Sequence, residues 1–316
     1  MAGQLYGTNS LGGFYTNNEL SAKLRLQAQP IKRFRAFVSA KGAKGAGKGR
    51  LLLFDKNRDL GTHGNQLNET STIPETNMTV GQGTLTLNEF GAAVPWTGFL
   101  KELSEFDVED AVMVGLKNSM AKYLDSQCAA VFTSGEFKAV NVATASVNFQ
   151  TAGTASATAT GDLTGFNWRY IADQMRINQI PFVDGSNYVC IGSVKLISGL
   201  FNDTAASGFV DVQKYTGEFA GQIVRGERGS YYMGRFIEET NFLPNNIGNG
   251  TAYGAGVAFG DDAIAEGVAV PEELRQKLPT DYGRSQGLAW YGILGWAKIW
   301  DNTNDGDERI VHITSL

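Results

Sequence analysis

The sequence predicts an α+β fold, because strands, one long helix, further strands and shorter helices follow one another without the alternation of a doubly wound sheet. Glycine is abundant, at 39 of 316 residues, and proline is scarce, at 7, a composition typical of a loop-rich protein that contains β-structure. Apolar residues recur every four positions over one stretch, which predicts a long amphipathic helix. Alternating and β-branched runs on both sides of that stretch predict strands.

The N-terminal part of the chain predicts extended structure. Residues 1–22 lack periodicity and indicate an extended arm. Residues 23–40 predict a short helix, which is followed by the flexible tract AKGAKGAGKG. The strand LLLF then leads into a long polar stretch. We expect a two-stranded hairpin over 51–83 whose tip becomes ordered on contact, because so polar a hairpin cannot bury itself. Residues 84–94 alternate and predict another strand.

The clearest element is a helix from about Val108 to Val131. Asp107 is placed to cap it, and Glu109 and Asp110 lie in its first turn, where the helix dipole favours negative charge. Its apolar stripe consists of residues at four-residue spacing and three neighbours that widen it: Val112, Leu116, Met120, Leu124, Cys128, Met113, Tyr123 and Val131. At 1.5 Å per residue this helix is roughly 36 Å long, so it needs a sheet or another neighbour along its whole length.

The middle of the chain predicts a mixture of strands and shorter helices. Residues 137–160 are rich in β-branched residues, which favours a hairpin or meander. Thr164 is placed to cap a helix that ends at about Ile180, before a proline. The apolar face of this helix is predicted to consist of Phe166, Tyr170, Ile171 and Met175. The run YVCIG at 188–192 predicts a buried strand, and Ser193 is placed to cap the helix after it.

The C-terminal part predicts strands. Residues 217–241 are interpreted as glycine-punctuated strand, followed by a loop whose glycines and asparagines suit tight turns. LAWYGILGWAKIW at 288–300 and RIVHITSL at 309–316 are predicted to form a closing pair of strands around an acidic turn. These segments complete the α+β order.

Charge is concentrated near the N terminus. The net charge is −5 overall, but residues 21–59 contain eleven basic and only two acidic residues. A basic arm on an acidic body can bind nucleic acid by neutralising phosphates, or it can bind the acidic surface of a neighbouring copy. A solvated charged loop without a partner is the third interpretation.

Simple features exclude several classes of protein. No apolar run is long enough to span a bilayer, and the first residues lack the basic and apolar segments of a secretion signal, so we expect no membrane partner. Two cysteines and two histidines leave few groups for disulfide, metal or acid–base chemistry. Cys128 and Cys190 fall in predicted core segments, and neither His63 nor His312 is accompanied by a credible nucleophile. We therefore expect no catalytic residue, no cofactor and no metal.

Two partial motifs indicate other chemistry. Gly42 to Gly49 fits the spacing GxxxxGK of a phosphate loop, but Gly49 stands where Ser or Thr would hold magnesium. A soluble nucleotide-dependent enzyme that uses this tract is the alternative from a different class. Asp301 to Gly306 is similar to the start of a calcium loop, but the twelfth position is His312 rather than Glu. A turn rich in Asp and Asn explains the same residues.

The order of these elements resembles that of the major capsid proteins of tailed phages, which have the Hong Kong ninety-seven fold. NETSTIPE (68–75) followed by TLTLNEFGAAVPWTGFLKELSEFDVEDAV (84–112) is similar to the family's passage from an extended loop to a spine helix. The stretches at 163–203 and 216–244 resemble its apical helix, strand and helix and its next strands. YGAGVAFGDDAIAEG at 253–267 and the closing strands complete the resemblance, which covers nearly the whole chain.

The resemblance implies four regions: an N-terminal arm at 1–50, an extended loop at 51–83, a peripheral domain at 84–162 and 288–316 with the spine helix, and an axial domain at 163–287. It implies a protein that self-assembles as hexamers and pentamers into the icosahedral head of a tailed bacteriophage around double-stranded DNA. Because no long extension precedes the arm, we expect a separate scaffolding protein, and a portal as a further partner. The virion is the expected location, after assembly in the host cytoplasm. An encapsulin-type bacterial compartment shell is the alternative with the same fold.

The resemblance also implies where subunits touch their partners. The extended loop of one subunit lies over its neighbour in such shells. The candidates for these contacts are Lys56 and Arg58, with Glu102, Glu105 and Glu109 as acceptors. The arm is placed on the inner wall, where contact with packaged DNA is non-specific. The candidates that face DNA are Lys23, Arg25, Lys41, Lys44 and Lys48.

Overall fold

The computed structural model describes residues 34–40, 49–57, 64–69, 72–78, 80–104, 107–143, 146–150, 159–203, 230–238, 254–300 and 308–316. The chain divides into two units. Unit 1 contains residues 1–29, 92–119 and 274–290, and unit 2 contains residues 30–91, 120–273 and 291–316.

The elements confirm the α+β class. The strands within the described residues are β1 (Ser39–Ala40), β2 (Leu51–Asn57), β3 (Val80–Thr86), β4 (Asn88–Thr97), β5 (Lys138–Ala143), β6 (Ser146–Gln150), β7 (Tyr188–Gly192), β8 (Ser230–Tyr231), β9 (Gly234–Glu238), β10 (Gly254–Phe259), β11 (Ile264–Gln276), β12 (Ser285–Lys298) and β13 (Ile310–Ser315). The helices are α1 (Gly98–Leu103), α2 (Val108–Thr133), α3 (Gly165–Ile177) and α4 (Val194–Asn202). A 3-10 turn lies at Arg35–Phe37.

A seven-stranded sheet forms the centre of unit 2, in the order β6-β5-β13-β10-β7-β9-β8. The last strand, β13, runs antiparallel to β10 and parallel to β5. The predicted closing pair of strands is therefore wrong, because β12 belongs to a different sheet with the order β1-β11-β12-β4. Residues 301–307, the predicted acidic turn between them, lie outside the described residues.

Helices cover both faces of the seven-stranded sheet. On one face, Trp168, Ile171 and Met175 of α3 and Leu196 and Leu200 of α4 pack in one buried cluster with residues of the sheet. On the other face, a second buried cluster contains residues of α2 and of the sheet: Cys128, Phe132, Val189, Ile191, Val257 and Phe259. The core of unit 2 is thus a layer of strands between helices, with its apolar side chains fully buried.

The predicted helix caps are present. The hydroxyl of Thr164 accepts a hydrogen bond from the backbone N–H of Asn167 at 3.2 Å, and that of Ser193 accepts one from Leu196 at 3.3 Å. The Oδ1 of Asp107 accepts from the N–H of Glu109 at 2.9 Å. These side chains satisfy N–H groups that have no partner inside a helix, which fixes where each helix begins.

Two helix predictions need correction. The face of α3 that is buried contains Trp168 and Ala172 beside Ile171 and Met175, whereas Phe166 and Tyr170 are exposed. The reason is the 100° step of the helix, which places Phe166 and Tyr170 on a different side from Ile171. The short helix α1 was absent from the sequence prediction, although Thr97 caps it by accepting from the N–H of Leu100.

Unit 1 contains α1, the first part of α2 and the ends of three strands. The indole N–H of Trp96 donates to the Oε1 of Gln286 at 3.3 Å, and the N–H of Lys277 donates to the carbonyl of Gly287 at 2.8 Å. The N–H of Gly98, the first residue of α1, donates to the carbonyl of Arg284 at 2.8 Å. These bonds hold the turn between β11 and β12 against the start of α1.

No helix in the described part of the chain is long and apolar enough to cross a bilayer.

Candidate intersubunit surfaces

The hairpin predicted at 51–83 has a base that packs on its own unit. Strands β2 and β3 pair antiparallel from Leu51 opposite Thr86 to Asn57 opposite Val80. Their inner side chains, Leu52 and Leu85, are buried in a cluster with Ala265 and Ile299. The prediction that the whole hairpin cannot bury itself is therefore wrong for the base, because the leucines on one face of β2 and β3 have a matching apolar surface in the same chain.

The hairpin base lies close to the backbone of β11 and β12 at two glycines. A Cβ at Gly295 would collide with the backbone carbonyl of Thr86, so glycine is required there for the hairpin base to approach β12. A Cβ at Gly267 would collide with the ends of the Leu52 and Leu85 side chains, which would have to move to admit it.

Lys56 lies at the base of the hairpin and not on its exposed side. Its side chain is only 8% exposed, and its Nζ lies 5.9 Å from the centre of the Trp300 ring, within the range of a cation–π contact. The guanidinium carbon of Arg309 lies 4.4 Å from the centre of the same ring. In the single chain, the amine of Lys56 contacts its own unit, which disfavours the predicted intersubunit contact. Arg58, the other predicted contact, lies outside the described residues.

The described part of the hairpin tip, residues 64–69 and 72–78, is exposed at every position. It carries exposed apolar side chains at Leu67, Ile73 and Met78, with Ile73 at 74% exposure. The outer face of the base adds Leu51, Leu53 and Val80, which are exposed as well. We call these six residues the hairpin surface. An array of exposed apolar side chains on a projecting element is typical of a protein contact.

Of the predicted acidic acceptors, Glu109 lies at the start of α2 and Glu102 lies on α1. Glu102 is exposed, and Glu105 lies outside the described residues. Glu109 is paired within its own unit, because its Oε2 lies 3.1 Å from the Nζ of Lys101. Of the three predicted acceptors, the structure thus presents Glu102 to solvent without an ion pair in the described residues.

All five predicted DNA-facing residues, Lys23, Arg25, Lys41, Lys44 and Lys48, lie outside the described residues. The structure describes the segment 34–40 between them, and Arg35 anchors it. The Nε of Arg35 donates to the Oε1 of Glu266 at 2.8 Å, and its Nη2 donates to the Oε2 of Glu272 at 3.2 Å. Its backbone N–H donates to the Oδ1 of Asp125 at 3.1 Å.

Two further features hold this segment in place. Phe34 is buried, with its ring 5.5 Å from that of Phe132, and Ser39 pairs with Ala265 in a short parallel bridge. Burial alone would raise the pKa of Glu272, but the hydrogen bonds and charge of Arg35 more than offset it, so the pKa lies below its ordinary value. The sequence alone places Arg35 in the basic arm and does not predict this anchoring role, although the aromatic neighbours in FRAF are typical of a packed segment.

The described residues contain no group of three side chains that could hold a metal ion. Cys128 and Cys190 are free thiols in the core, and burial raises the pKa of each, which keeps them protonated and unreactive. His63, the tract 42–48 and most of the calcium-like stretch lie outside the described residues.

His312 is packed in the core opposite Lys138. Its Nδ1 lies 3.3 Å from the Nζ of Lys138, and its Nε2 has no hydrogen-bond partner in the described structure. Burial, and then the charge of Lys138, lower the pKa of His312 to about 3. Burial likewise lowers the pKa of Lys138, which nearby Glu308 opposes. This pair is a structural element of the β5–β13 contact.

The lowered pKa of His312 gives a testable pH dependence of stability. Well above pH 6.5 the imidazole is neutral in both the folded and the unfolded chain. As the pH falls from about 6.5 towards 3, only the unfolded chain takes up the proton, so the free energy of unfolding falls. At pH 4.5 we expect a loss of roughly 2–3 kcal/mol relative to pH 7. In urea unfolding at both pH values, His312→Gln is expected to lack this part of the loss. Equal pH dependence of the two proteins would contradict the assignment.

Comparisons with known proteins define the fold of the chain. No family model and no curated protein matches the sequence. Solved structures match over nearly the whole chain. The capsid of Ralstonia phage GP4 is 15% identical, with a TM-score of 0.70, over 99% of this chain and 98% of that chain. The capsid structure of Cyanophage P-SCSP1u is 12% identical, with a TM-score of 0.70, over 99% and 97%.

A third solved structure, the cyanophage Pam1 capsid asymmetric unit, is 14% identical, with a TM-score of 0.67, over 100% of this chain and 99% of that chain. The architecture is therefore that of these phage capsid structures. More particularly, the chain has the Hong Kong ninety-seven fold of tailed-phage capsid proteins, as the sequence resemblance predicted.

Proposed function

We propose that this protein is the major capsid protein of a tailed bacteriophage and that it self-assembles as hexamers and pentamers into an icosahedral head around double-stranded DNA. The observation that carries the proposal is the match to phage capsids over the full length of the chain, together with a hairpin whose described tip is exposed throughout. The solved structures that match are those of phages, which favours a phage capsid protein over the shell protein of an encapsulin-type compartment. The division into arm, extended loop, peripheral domain and axial domain is part of this proposal.

The two parts of the hairpin have different roles in this proposal. The base, with Leu52 and Leu85 in the core of unit 2, fixes the direction in which the tip projects. Ordering each tip residue costs roughly 1–2 kcal/mol, and the exposed tip recovers little of it within one chain. Burying side chains such as Leu67, Ile73 and Met78 contributes roughly 1.5–3 kcal/mol each. A neighbouring subunit that covers them therefore supplies the missing stabilisation.

The charge of the hairpin restricts the surface that it can cover. Residues 51–83 contain two basic residues, Lys56 and Arg58, and four acidic ones. Such a loop is better matched by an apolar or basic surface of the neighbour than by an acidic one. The pairing of Arg58 with Glu102 of another subunit remains a prediction, and the hairpin surface carries the larger share of the proposed contact.

The proposed partners follow from the same assembly. When one surface of each copy binds a different surface of the next, the copies form a ring if the rotation between them closes. The small contributions of many such contacts add up in a closed shell. The basic arm is proposed to contact packaged DNA non-specifically. A separate scaffolding protein and a portal are proposed to guide assembly in the host cytoplasm, and the final location is the virion.

Negative-stain imaging of the purified protein, alone and with any scaffolding protein, tests the proposed function. Icosahedral or tubular particles are expected. A protein that stays monomeric under all assembly conditions would overturn the proposal. Matched samples at several protein concentrations serve as the control, since assembly by mass action has a threshold concentration.

A further inference from the structure

The turn between β11 and β12 presents two apolar side chains to solvent. Leu278 is 84% exposed and Tyr282 is fully exposed. Asp281, Tyr282 and Gly283 all have positive φ, at 54°, 54° and 89°, a conformation that residues other than glycine rarely adopt. Thr280 and Ser285 exchange two backbone hydrogen bonds at 3.1 Å, and the N–H of Arg284 donates to the carbonyl of Asp281 at 3.0 Å. The turn is thus held in a shape that keeps the Tyr282 ring away from its own chain.

Helix α1 presents a second group of apolar side chains beside this turn. Phe99 is 76% exposed and Leu103 is 69% exposed, and Leu100 is exposed as well. The helix begins at Gly98, whose N–H donates to Arg284 of the turn. The five residues Phe99, Leu100, Leu103, Leu278 and Tyr282 therefore come from two adjacent segments of unit 1, and we call them the tip surface. Single exposed apolar residues are ordinary, whereas such a group marks a contact site.

The two segments of the tip surface have opposite charge. Residues 98–110 contain one basic and five acidic residues, whereas residues 274–286 contain three basic and one acidic residue. Glu102 on α1 is exposed, and Arg284 in the turn is exposed too, with only a loose ion pair of 3.7 Å to Asp281. Because every copy carries both an acidic helix segment and a basic turn, the turn of one copy is complementary to the helix segment of another.

We propose that the tip surface is a contact between copies of this chain, in which Tyr282 and Leu278 of one copy pack on Phe99 and Leu103 of the next, with Arg284 beside Glu102. Such a contact joins two different surfaces, so it links successive copies head to tail and forms a ring where the rotation between copies closes. The proposal rests on the proposed function, because it adds a contact to the shell, but it uses no residue of the hairpin. It gives Glu102 a partner different from the hairpin residues that the sequence suggested.

Substitution of Tyr282 tests the apolar part of the contact. Tyr282→Ser is expected to raise the protein concentration needed for assembly at least about tenfold, since one aromatic anchor often dominates a contact. Tyr282→Phe keeps the ring and is expected to assemble like the unchanged protein. Both variants are expected to unfold at the temperature of the unchanged protein, because the side chain is exposed. Equal assembly of the serine variant and the unchanged protein would overturn the proposal.

A charge exchange tests which groups face each other. Glu102→Lys and Arg284→Glu are each expected to weaken assembly, and the double variant is expected to recover a large part of it, because the attraction is restored with the signs exchanged. Two weakened single variants without recovery in the double variant would contradict the assigned pairing.

Cysteine cross-linking identifies the occupant of the tip surface. Proteins with Tyr282→Cys and with Leu103→Cys are mixed under assembly conditions and oxidised, and a disulfide-linked pair containing one of each is expected. The native thiols do not interfere, since both are buried. If residues 1–29 of the same chain cover the surface instead, no mixed pair forms and Tyr282→Ser lowers the unfolding temperature of the separate subunit, which overturns the proposal.

The outcomes separate this proposal from the proposed function. If the unchanged protein and the Tyr282→Ser variant form particles equally well, the proposed contact through the tip surface is wrong and the proposed capsid function still holds. If the unchanged protein forms no particles under any condition, both the proposed contact and the proposed function are wrong.

Discussion

Replacing residues 58–79 with a two-residue Asn-Gly turn is expected to give a folded subunit that forms no closed shells. Asn57 and Val80 are paired across the hairpin, so a short turn can join them and preserve the base. Leu52 and Leu85 keep their buried contacts, which is why the free energy of unfolding should change little. The assembly loses the tip, which is the part of the hairpin proposed to cover the neighbour. Thermal unfolding and negative-stain imaging measure the two effects.

A second variant separates the length of the tip from its apolar side chains. Changing Leu67, Ile73 and Met78 to serine keeps every residue of the hairpin backbone but removes three exposed apolar side chains. This variant is expected to assemble poorly as well. Normal shells from the deletion variant would show that the tip is dispensable, and normal shells from the serine variant would assign the contact to the backbone or to polar groups.

Trp168→Ala is expected to lower the free energy of unfolding by roughly 3–5 kcal/mol, the range typical for loss of a buried large aromatic side chain. Trp168 is fully buried in α3, and its ring lies 4.7 Å from that of Phe236. Its indole N–H donates to the carbonyls of Tyr231 and Tyr232, at 3.1 and 3.2 Å. Truncation leaves a cavity and removes the donor that holds the β8–β9 turn. Chemical unfolding, monitored by circular dichroism, measures the loss.

Phe166→Ala is the matched control for this prediction. Phe166 lies on the same helix but is exposed, so its removal is expected to change the free energy of unfolding by no more than about 0.5 kcal/mol. A similar loss for both variants would mean that α3 packs with a different face from the one described. A small loss for Trp168→Ala would contradict its position at the centre of the unit 2 core.

Local features of the fold could be predicted from the sequence because local chemistry determines them. The caps at Asp107, Thr164 and Ser193 form with residues two or three positions away, so their sequence signals are sufficient. Of the predicted stripe on α2, Leu116, Leu124 and Cys128 are buried, and the buried side continues to Phe132, whereas Tyr123 is exposed. The strand at 188–192 is apolar and lies buried on both faces, as its composition indicated.

Features that depend on distant parts of the chain were not predictable. Adjacency in sequence predicts that β13 pairs with β12. In the structure β13 pairs with β10 and β5, whereas β12 belongs to another sheet. The sequence alone predicts a hairpin too polar to bury itself, because the core partners of Leu52, which include Ala265 and Ile299, lie far along the chain. The sequence alone places Arg35 in the basic arm for the same reason, since its carboxylate partners are ninety or more positions away.

Candidate contacts were the hardest features to assign. The sequence suggested basic hairpin residues, but Lys56 is turned towards Trp300, and exposed apolar residues dominate both the hairpin surface and the tip surface. Periodicity in a strand predicts which residues share a face but not whether the chain itself covers that face. Only the folded subunit shows which apolar residues remain for a neighbour.

Amide hydrogen exchange of residues 64–78, compared between separate subunits and assembled particles, tests the central claim most directly. We expect fast exchange in the subunit and strong protection in the particle, because a neighbouring copy then covers the tip. The buried strand at 188–192 serves as the internal control and should be protected in both states. Well-formed particles in which the tip exchanges as fast as in the subunit would contradict the claim that one protomer orders the hairpin of the next.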